Sequence, residues 1–332
     1  MTIPDTHSTQ PSVGAGRTVI VGPVRYQELC GDGRRLLLDA GFTLVENETS
    51  IPWTADDLAP LMPGADAVVC GVEEYTRQMI EIAPKLRVIS RLGVGLDNID
   101  LDVARAHGVD VVNAPGGNAA AVAELAIGLM LAVLRKIHLM NRDIRLGQWD
   151  RYVGSELAGK TVGLVGFGAT ARLLATRLRG FEVTVEAYDP APDQRAADEL
   201  GVTLRPLDEV VRRADILSLH APHTPKTYHL VGSDALAAMR PGAILINTSR
   251  GALVDEDALA SALKEGRLAG AGLDVFETEP VSAANPLLGL DTVVATTHAA
   301  ADSREAYERI GLSSARAIID VFSGRTPPTL AN

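Results

Sequence analysis

The sequence is poor in cysteine, in aromatic residues and in net positive charge, and each shortage removes a class of protein. Two cysteines in 332 residues, Cys30 and Cys70, make no disulfide framework and lack the close spacing of metal-ligand pairs. That usage fits a reducing, cytoplasmic setting, and no metal site is expected. Aromatics are only 4% of the chain, which leaves a core of Ala, Val, Leu and Ile. The formal charge of −11 argues against a nucleic-acid backbone or an anionic membrane surface as partner. The most apolar run, Leu125–Leu134, is too short to span a bilayer. The opening MTIPDTHSTQPSVGAGR has no apolar core of the signal-peptide kind, and residues 1–17 are expected to be a disordered arm.

What is present is organised around Gly159–Pro190, GKTVGLVGFGATARLLATRLRGFEVTVEAYDP. Thr161–Val165 is a β-branched apolar run that reads as a buried strand, and Gly166-Phe167-Gly168-Ala169-Thr170-Ala171 follows at once. A helix pattern continues over Ala171–Leu178, and a second strand, Glu182–Tyr188, ends in Asp189. Strand, glycine turn, helix and terminal acid together make a dinucleotide fingerprint. Gly166 permits the turn, Gly168 lets backbone approach a pyrophosphate, and the helix N-terminus offers N–H groups to that anion. Asp189 can accept hydrogen bonds from both ribose hydroxyls and would repel a 2′-phosphate, so NAD is expected rather than NADP.

Around this stretch strands and helices alternate. Arg17–Val24, Thr43–Glu46, Ala67–Cys70, Leu86–Ser90 and Val109–Asn113 read as strands with helices between them, a complete doubly wound domain. Ile216–His220, Ala243–Asn247, Gly270–Val275 and Val293–Thr296 continue the alternation beyond the fingerprint. The expectation is α/β architecture with two doubly wound parallel sheets, the first domain discontinuous: residues 18–115 with 300–332, and residues 116–299. A single helix is expected over 119–146, apolar nearly all round and therefore a candidate twofold subunit interface giving a homodimer.

Three polar sites follow strand ends of the second sheet: Arg250 after AILINTS, Glu279 in DVFETEP and His298 after VVATT. In a parallel sheet those ends share one edge with the cofactor crevice. His298 suits proton exchange at the C2 oxygen of a small acid, and Glu279, bonded to the other ring nitrogen, would favour the imidazolium. Arg250 suits bidentate binding of the acid's carboxylate, and Asp274 could hold a nicotinamide carboxamide. Gly93-Val94-Gly95, at a strand's carboxyl end, reads either as an amide cradle for a small anion or as a tight turn needing positive φ. Among the other histidines, His220 and His223 flank a turn on the cofactor side, His229 leads into a helix, and His7, His107 and His138 read as structural or solvent-facing.

The segments ISRLGVGLDNIDL, NAPGGNAAAVAELAIGLM, SLHAPHTPKTYHL, INTSRGALVDEDAL, GAGLDVFETEP and TTHAA, with the fingerprint and AYDP, resemble the D-isomer-specific 2-hydroxyacid dehydrogenases, close to their phosphoglycerate dehydrogenase-like branch. The resemblance runs from about residue 18 to 325 and implies catalytic roles for Arg250, Glu279 and His298. It implies substrate contacts at Arg91, Gly93, Val94, Gly95, Arg250 and His298. Cofactor contacts fall on Gly166, Gly168, Ala169, Thr170, Asp189, Ala221, Pro222, Thr227, Ser249 and Asp274. The implied activity is NAD-dependent, reversible reduction of a small anionic 2-oxo acid: 3-phosphohydroxypyruvate, hydroxypyruvate, glyoxylate or a phosphonate analogue. A non-catalytic NAD(H)-sensing interaction protein and a phosphite dehydrogenase keep the same three residues and are the alternatives. Cys70 stands where some phosphoglycerate dehydrogenases carry a phosphate-binding arginine, which leaves phosphorylated and unphosphorylated acids both open, with Arg77, Arg91 or Arg151 as substitutes.

Overall fold

Short runs of β-branched and apolar residues, each closed by glycine or a polar turn, form strands here because both faces of every sheet are covered. The computed structural model describes residues 12–332; His7 and most of the expected arm lie outside the described residues. In chain order the first elements are β1 (Thr18–Val21), α1 (Tyr26–Leu29), α2 (Gly31–Asp39), β2 (Thr43–Glu46), α3 (Ala55–Leu58), β3 (Ala67–Cys70), α4 (Arg77–Glu81), β4 (Val88–Arg91), α5 (Leu101–Ala106) and β5 (Asp110–Val112). Then come α6 (Ala119–Arg135), α7 (Ile137–Arg145), β6 (Thr161–Val165), α8 (Ala169–Leu178), β7 (Thr184–Tyr188), α9 (Gln194–Leu200), β8 (Thr203–Leu204), α10 (Leu207–Arg213) and β9 (Ile216–Leu219). The last are α11 (Ser233–Ala238), β10 (Ile244–Asn247), α12 (Glu256–Lys264), β11 (Gly270–Leu273), β12 (Val293–Ala295) and α13 (Arg304–Phe322).

The chain divides into two compact units, one ending at Asn118 and completed by Asp302–Asn332, the other Ala119–Ala301. The divisions fall slightly later than the expected 115 and 299. The turn after β5 stays with the first unit, where Ala114 N–H donates to Gly93 O at 2.9 Å and Arg309 Nε to Gly117 O at 3.1 Å. Residues 12–17, expected as part of a disordered arm, are instead placed. Gly14 N–H donates to Ala40 O at 2.8 Å, and Val13 packs against the core of the first unit.

The first unit is a five-stranded parallel sheet of order β2-β1-β3-β4-β5, whose winding reverses between β1 and β3. Side chains alternate across it: Val19, Val21, Ala67 and Val69 join one core with residues of α2 and α13, while Ile20, Val68 and Cys70 join the opposite core with Leu58, Met79 and Val103. The second unit is a seven-stranded parallel sheet, β12-β11-β10-β9-β6-β7-β8, reversing between β6 and β9. Its two cores are split the same way, with Val165, Leu217 and Leu245 on one face and Val162, Leu164, Ile216 and Ile244 on the other. Two doubly wound, Rossmann-like parallel sheets are therefore the architecture, the first from a discontinuous stretch of chain.

The expected single helix over 119–146 is two helices, broken at Lys136, which takes a left-handed conformation at φ 54°. Lys136 is neither Gly nor Pro, so the cause is tertiary. The chain returns at residues 154–155, where Ser155 N–H takes the Leu134 carbonyl at 3.0 Å. An added Cβ on Gly154 would sit 2.5 Å from that same carbonyl oxygen. The helix end is thus satisfied by an arriving segment rather than by continuation. The first piece, α6, packs within its own unit on β11, where Gly270 and Gly272 leave room for Val133 and Leu129.

Candidate active site

At the reversal between β6 and β9 the glycine turn is built as its sequence requires. Gly166 has φ +95°, and a Cβ there would lie 2.7 Å from His220 O. Both the left-handed backbone and the close approach demand glycine. Gly168 is exposed, with open space where a Cβ would point, and it begins α8 with no side chain capping the helix. The N–H groups of Ala169, Thr170 and Ala171 therefore face an uncovered helix N-terminus, the arrangement that binds phosphates. Asp189, partly exposed at the end of β7, accepts from Phe167 N–H at 2.8 Å through Oδ2 and from Ala191 N–H at 2.9 Å through Oδ1. These bonds tie the acid to the turn and leave a lone pair on each oxygen. The residues present fit a dinucleotide.

Beside this turn, Ala221 O accepts from Ser249 Oγ at 2.5 Å, and Pro222 O from Thr227 Oγ1 at 2.7 Å. The first of these bonds draws the loops after β9 and β10 together, and the second folds the β9 loop on itself. Asn247, almost fully buried, closes the loop that carries Arg250: its Nδ2 donates to Arg250 O at 2.8 Å and its Oδ1 accepts from Ser249 N–H at 3.0 Å. The sequence reading passed over Asn247, although an Asn ending a strand ahead of Thr-Ser is a usual Asx-turn signal. Arg250 Nη1 bonds Ser249 O at 2.7 Å. Gly251 follows with no space for a side chain, because the Phe276 carbonyl lies against it.

Glu279 and His298 are brought into direct contact, with Glu279 Oε2 accepting from His298 Nδ1 at 2.6 Å. The carboxylate's other oxygen accepts from Phe276 N–H at 2.9 Å. For His298 the Glu279 hydrogen bond raises the pKa above the ordinary value, outweighing burial and the Arg250 charge. For Glu279 burial works against ionisation. The His298 and Phe276 hydrogen bonds, with the charges of His298 and Arg250, overcome it and lower the pKa. The bond to Nδ1 fixes that nitrogen as N–H, and Nε2 has no partner among the described residues.

Asp274 does more than the sequence implied. Its carboxylate is fully buried and accepts from Thr296 Oγ1 at 2.6 Å, Ala299 N–H at 2.9 Å and Ala300 N–H at 2.8 Å. Its own carbonyl takes His298 N–H at 2.7 Å. These bonds hold His298 at φ 54°, a conformation that an L-residue adopts only under constraint. His220 donates to or accepts from Ser218 Oγ at 2.9 Å, and burial pushes its pKa down to about 4, so it is neutral. His229 pairs with Glu277 at 2.8 Å and stacks on Tyr228, and His107 and His138 bond backbone carbonyls.

Arg91 and Gly93-Val94-Gly95 belong to the first unit, at the carboxyl end of β4. Neither glycine has positive φ, so the turn reading fails as the reason for them. The Arg91 guanidinium folds over Gly93, where a Cβ would be 2.9 Å from Nη1 and would have to displace the end of that side chain.

Fold and site together describe an α/β protein with a glycine turn that suits a dinucleotide and, after later strands of the same sheet, a paired histidine and carboxylate. Residues 127–300 match the family described as D-isomer specific 2-hydroxyacid dehydrogenase, NAD binding domain. The D-3-phosphoglycerate dehydrogenase of Archaeoglobus fulgidus is 41% identical over 285 residues, 84% of this chain and 54% of that one. The hydroxypyruvate reductase of Thermotoga maritima is 41% identical over 262 residues, covering 77% of this chain and 85% of its own. The solved TT0316 protein of Thermus thermophilus superposes with a TM-score of 0.86 at 33% identity, over 95% of this chain and 100% of that one. The chain belongs to the D-isomer-specific 2-hydroxyacid dehydrogenase family, and its phosphoglycerate dehydrogenase-like branch. It spans about half the length of the phosphoglycerate dehydrogenases it matches. The family indicates a nicotinamide dinucleotide as cofactor.

Proposed function

We propose that the chain reduces a small 2-oxo acid reversibly to the D-2-hydroxy acid, with NADH as the hydride source. The observation that carries this reading is the 2.6 Å bond between His298 Nδ1 and Glu279, which leaves Nε2 as the only ring nitrogen open to a substrate. When bound, the nicotinamide supplies or receives the hydride at C2. In reduction, protonated Nε2 of His298 gives its proton to the carbonyl oxygen while Glu279 stabilises the imidazolium; in oxidation, neutral Nε2 takes the proton back. Arg250 holds the carboxylate and polarises the adjacent carbonyl. The α8 N-terminus with Gly168, Ala169 and Thr170 holds the pyrophosphate, and Asp189 accepts from the ribose hydroxyls and disfavours a 2′-phosphate, making NAD the cofactor. Ala221, Pro222, Thr227, Ser249 and Asp274 are assigned to the cofactor, and Arg91 with Gly93–Gly95 to the substrate, by their place in the family's motifs.

The hydroxypyruvate reductase and glyoxylate reductase among the relatives support a short 2-oxo acid as substrate. Kinetics of two variants test the assignment. His298→Ala should lower kcat by ~10²–10⁴ with cofactor affinity unchanged, as for a lost general acid. Arg250→Ala should act chiefly through KM for the acid. Equal loss of NADH binding in both variants would remove these roles.

A further inference from the structure

The winding of the first unit reverses between β1 and β3, and in open parallel sheets ligands bind beyond the carboxyl ends of the strands at such a reversal. That position is held by a carboxylate. Glu73 follows β3, is only 4% exposed, and accepts from Gly71 N–H at 2.6 Å through Oε2. Its carboxyl group rests on the backbone that follows both strands. A Cβ on Gly22 would lie 2.7 Å from Glu73 Cδ, and one on Gly71 would lie 3.2 Å from Oε2. Asn98 clamps the loop from the other side, donating to Glu73 O at 2.6 Å and Gly71 O at 3.1 Å. The carboxyl group is therefore built into the reversal and does not hang over it.

Two groups here have no hydrogen-bond partner among the described residues. Glu73 Oε1 and, at the end of the adjacent strand β4, Arg91 Nε are buried and unbonded. Burial pushes the Glu73 pKa up, against hydrogen bonds from the backbone of Glu73 and Gly71 and the charge of Arg91, which favour the carboxylate. Arg91 in turn spends Nη1 on Leu92 O at 2.8 Å. The edge thus carries one enclosed acid and one partly committed base, with no surplus of positive charge. Val72 and Val94, 66% and 38% exposed, form an apolar rim on the loops after β3 and β4. A dianionic group would meet a buried acid that has no ion-pair partner among the described residues, together with apolar side chains, whereas a small uncharged group would not be opposed in this way.

We propose that Glu73 is a specificity-determining residue: by occupying the β1/β3 reversal it makes this edge reject a phosphate ester and admit a short, uncharged substituent. Resting on the proposed reduction of a 2-oxo acid, the substituent is the one carried on the carbon beyond the keto group. The test compares kcat/KM for hydroxypyruvate and 3-phosphohydroxypyruvate with NADH. The wild-type protein should favour the unphosphorylated acid by about 100-fold. Glu73→Gln, which keeps an acceptor for Gly71 N–H and removes the charge, should narrow that ratio about tenfold or more, through a lower KM for the phosphorylated acid. Calorimetric binding of D-glycerate and 3-phosphoglycerate to the wild-type protein with NAD⁺ makes the same comparison without turnover or a variant. Preference for the phosphorylated ligand in either assay, or an unchanged ratio in a folded Glu73→Gln protein, overturns the proposal. Failure to reduce any 2-oxo acid, with D-glycerate still bound in preference to 3-phosphoglycerate, would instead sink the proposed reaction and leave the edge's selectivity standing.

Discussion

At the residue scale the proposed reaction depends on one proton at His298 Nε2, and the environment of the ring would set when it is there. The Glu279 bond keeps the imidazolium stable above the ordinary histidine range, so reduction should persist to higher pH than a free imidazole allows. Oxidation of the hydroxy acid, which needs the neutral ring, should gain as pH rises through the same raised value. Glu279→Gln removes the charge and leaves one acceptor oxygen where the carboxylate has one for Phe276 N–H and one for His298 Nδ1–H. It should move the alkaline fall of kcat/KM for reduction to lower pH; a pH profile that does not move would show that Glu279 does not set the proton's affinity. The same pair links folding to pH. Glu279, held low, contributes stability above the ordinary carboxylate range that is lost as pH falls through its lowered pKa. His298, held high, contributes below the ordinary histidine range and loses that as pH rises through its raised pKa. Arg250, Glu279 and His298 were legible because each follows a strand end. The tasks of Asn247, Thr296 and Asp274 were not: those of Thr296 and Asp274 join loops far apart in sequence, and that of Asn247 depends on how tightly the loop before Arg250 closes.

At the element scale most strands and the glycine turn follow from local sequence: β6 matches its expected bounds, the helix expected from Ala171 begins at Ala169, and the two-residue edge strand β8 was not read. The length of the α6–α7 segment did not follow, because the break at Lys136 answers to Ser155, which arrives from well beyond it in the chain. That break matters for association. Ile137, Met140 and Ile144 on α7, and Leu146, Trp149 and Val153 after it, are 36–91% exposed, an apolar surface within the second unit that a second copy of the chain would bury. The protein should therefore run in light scattering at about twice 35.0 kDa. Replacing Ile144 with Lys and Trp149 with Ala together should shift it towards 35.0 kDa while its secondary structure is kept. A wild-type monomer at micromolar concentration would refute self-association through this surface.

At the scale of the whole molecule, two sheets with different strand orders each end in a loop cluster at their reversal. One cluster is an open helix N-terminus with an acid at the neighbouring strand, and the other is closed by the Glu73 carboxylate. The alternation of short apolar runs made both sheets readable in advance. Strand order, and with it the position of Glu73 on Gly22 and Gly71, was not readable, because pairing across a parallel sheet is set by long-range packing and leaves no local signal. Among the described residues no helix is long and apolar enough to cross a membrane, and no cluster of His, Cys, Asp and Glu suits a metal. The proposed chemistry rests on a dinucleotide, a proton at His298 and a cation at Arg250. Initial rates of NADH oxidation against a panel of short 2-oxo acids, with NADPH in parallel, test that assignment most directly. The account predicts turnover of at least one unphosphorylated acid at a kcat/KM of roughly 10⁴ M⁻¹s⁻¹ or more, with NADH well ahead of NADPH. Tight NADH binding with no turnover of any acid on the panel would contradict it.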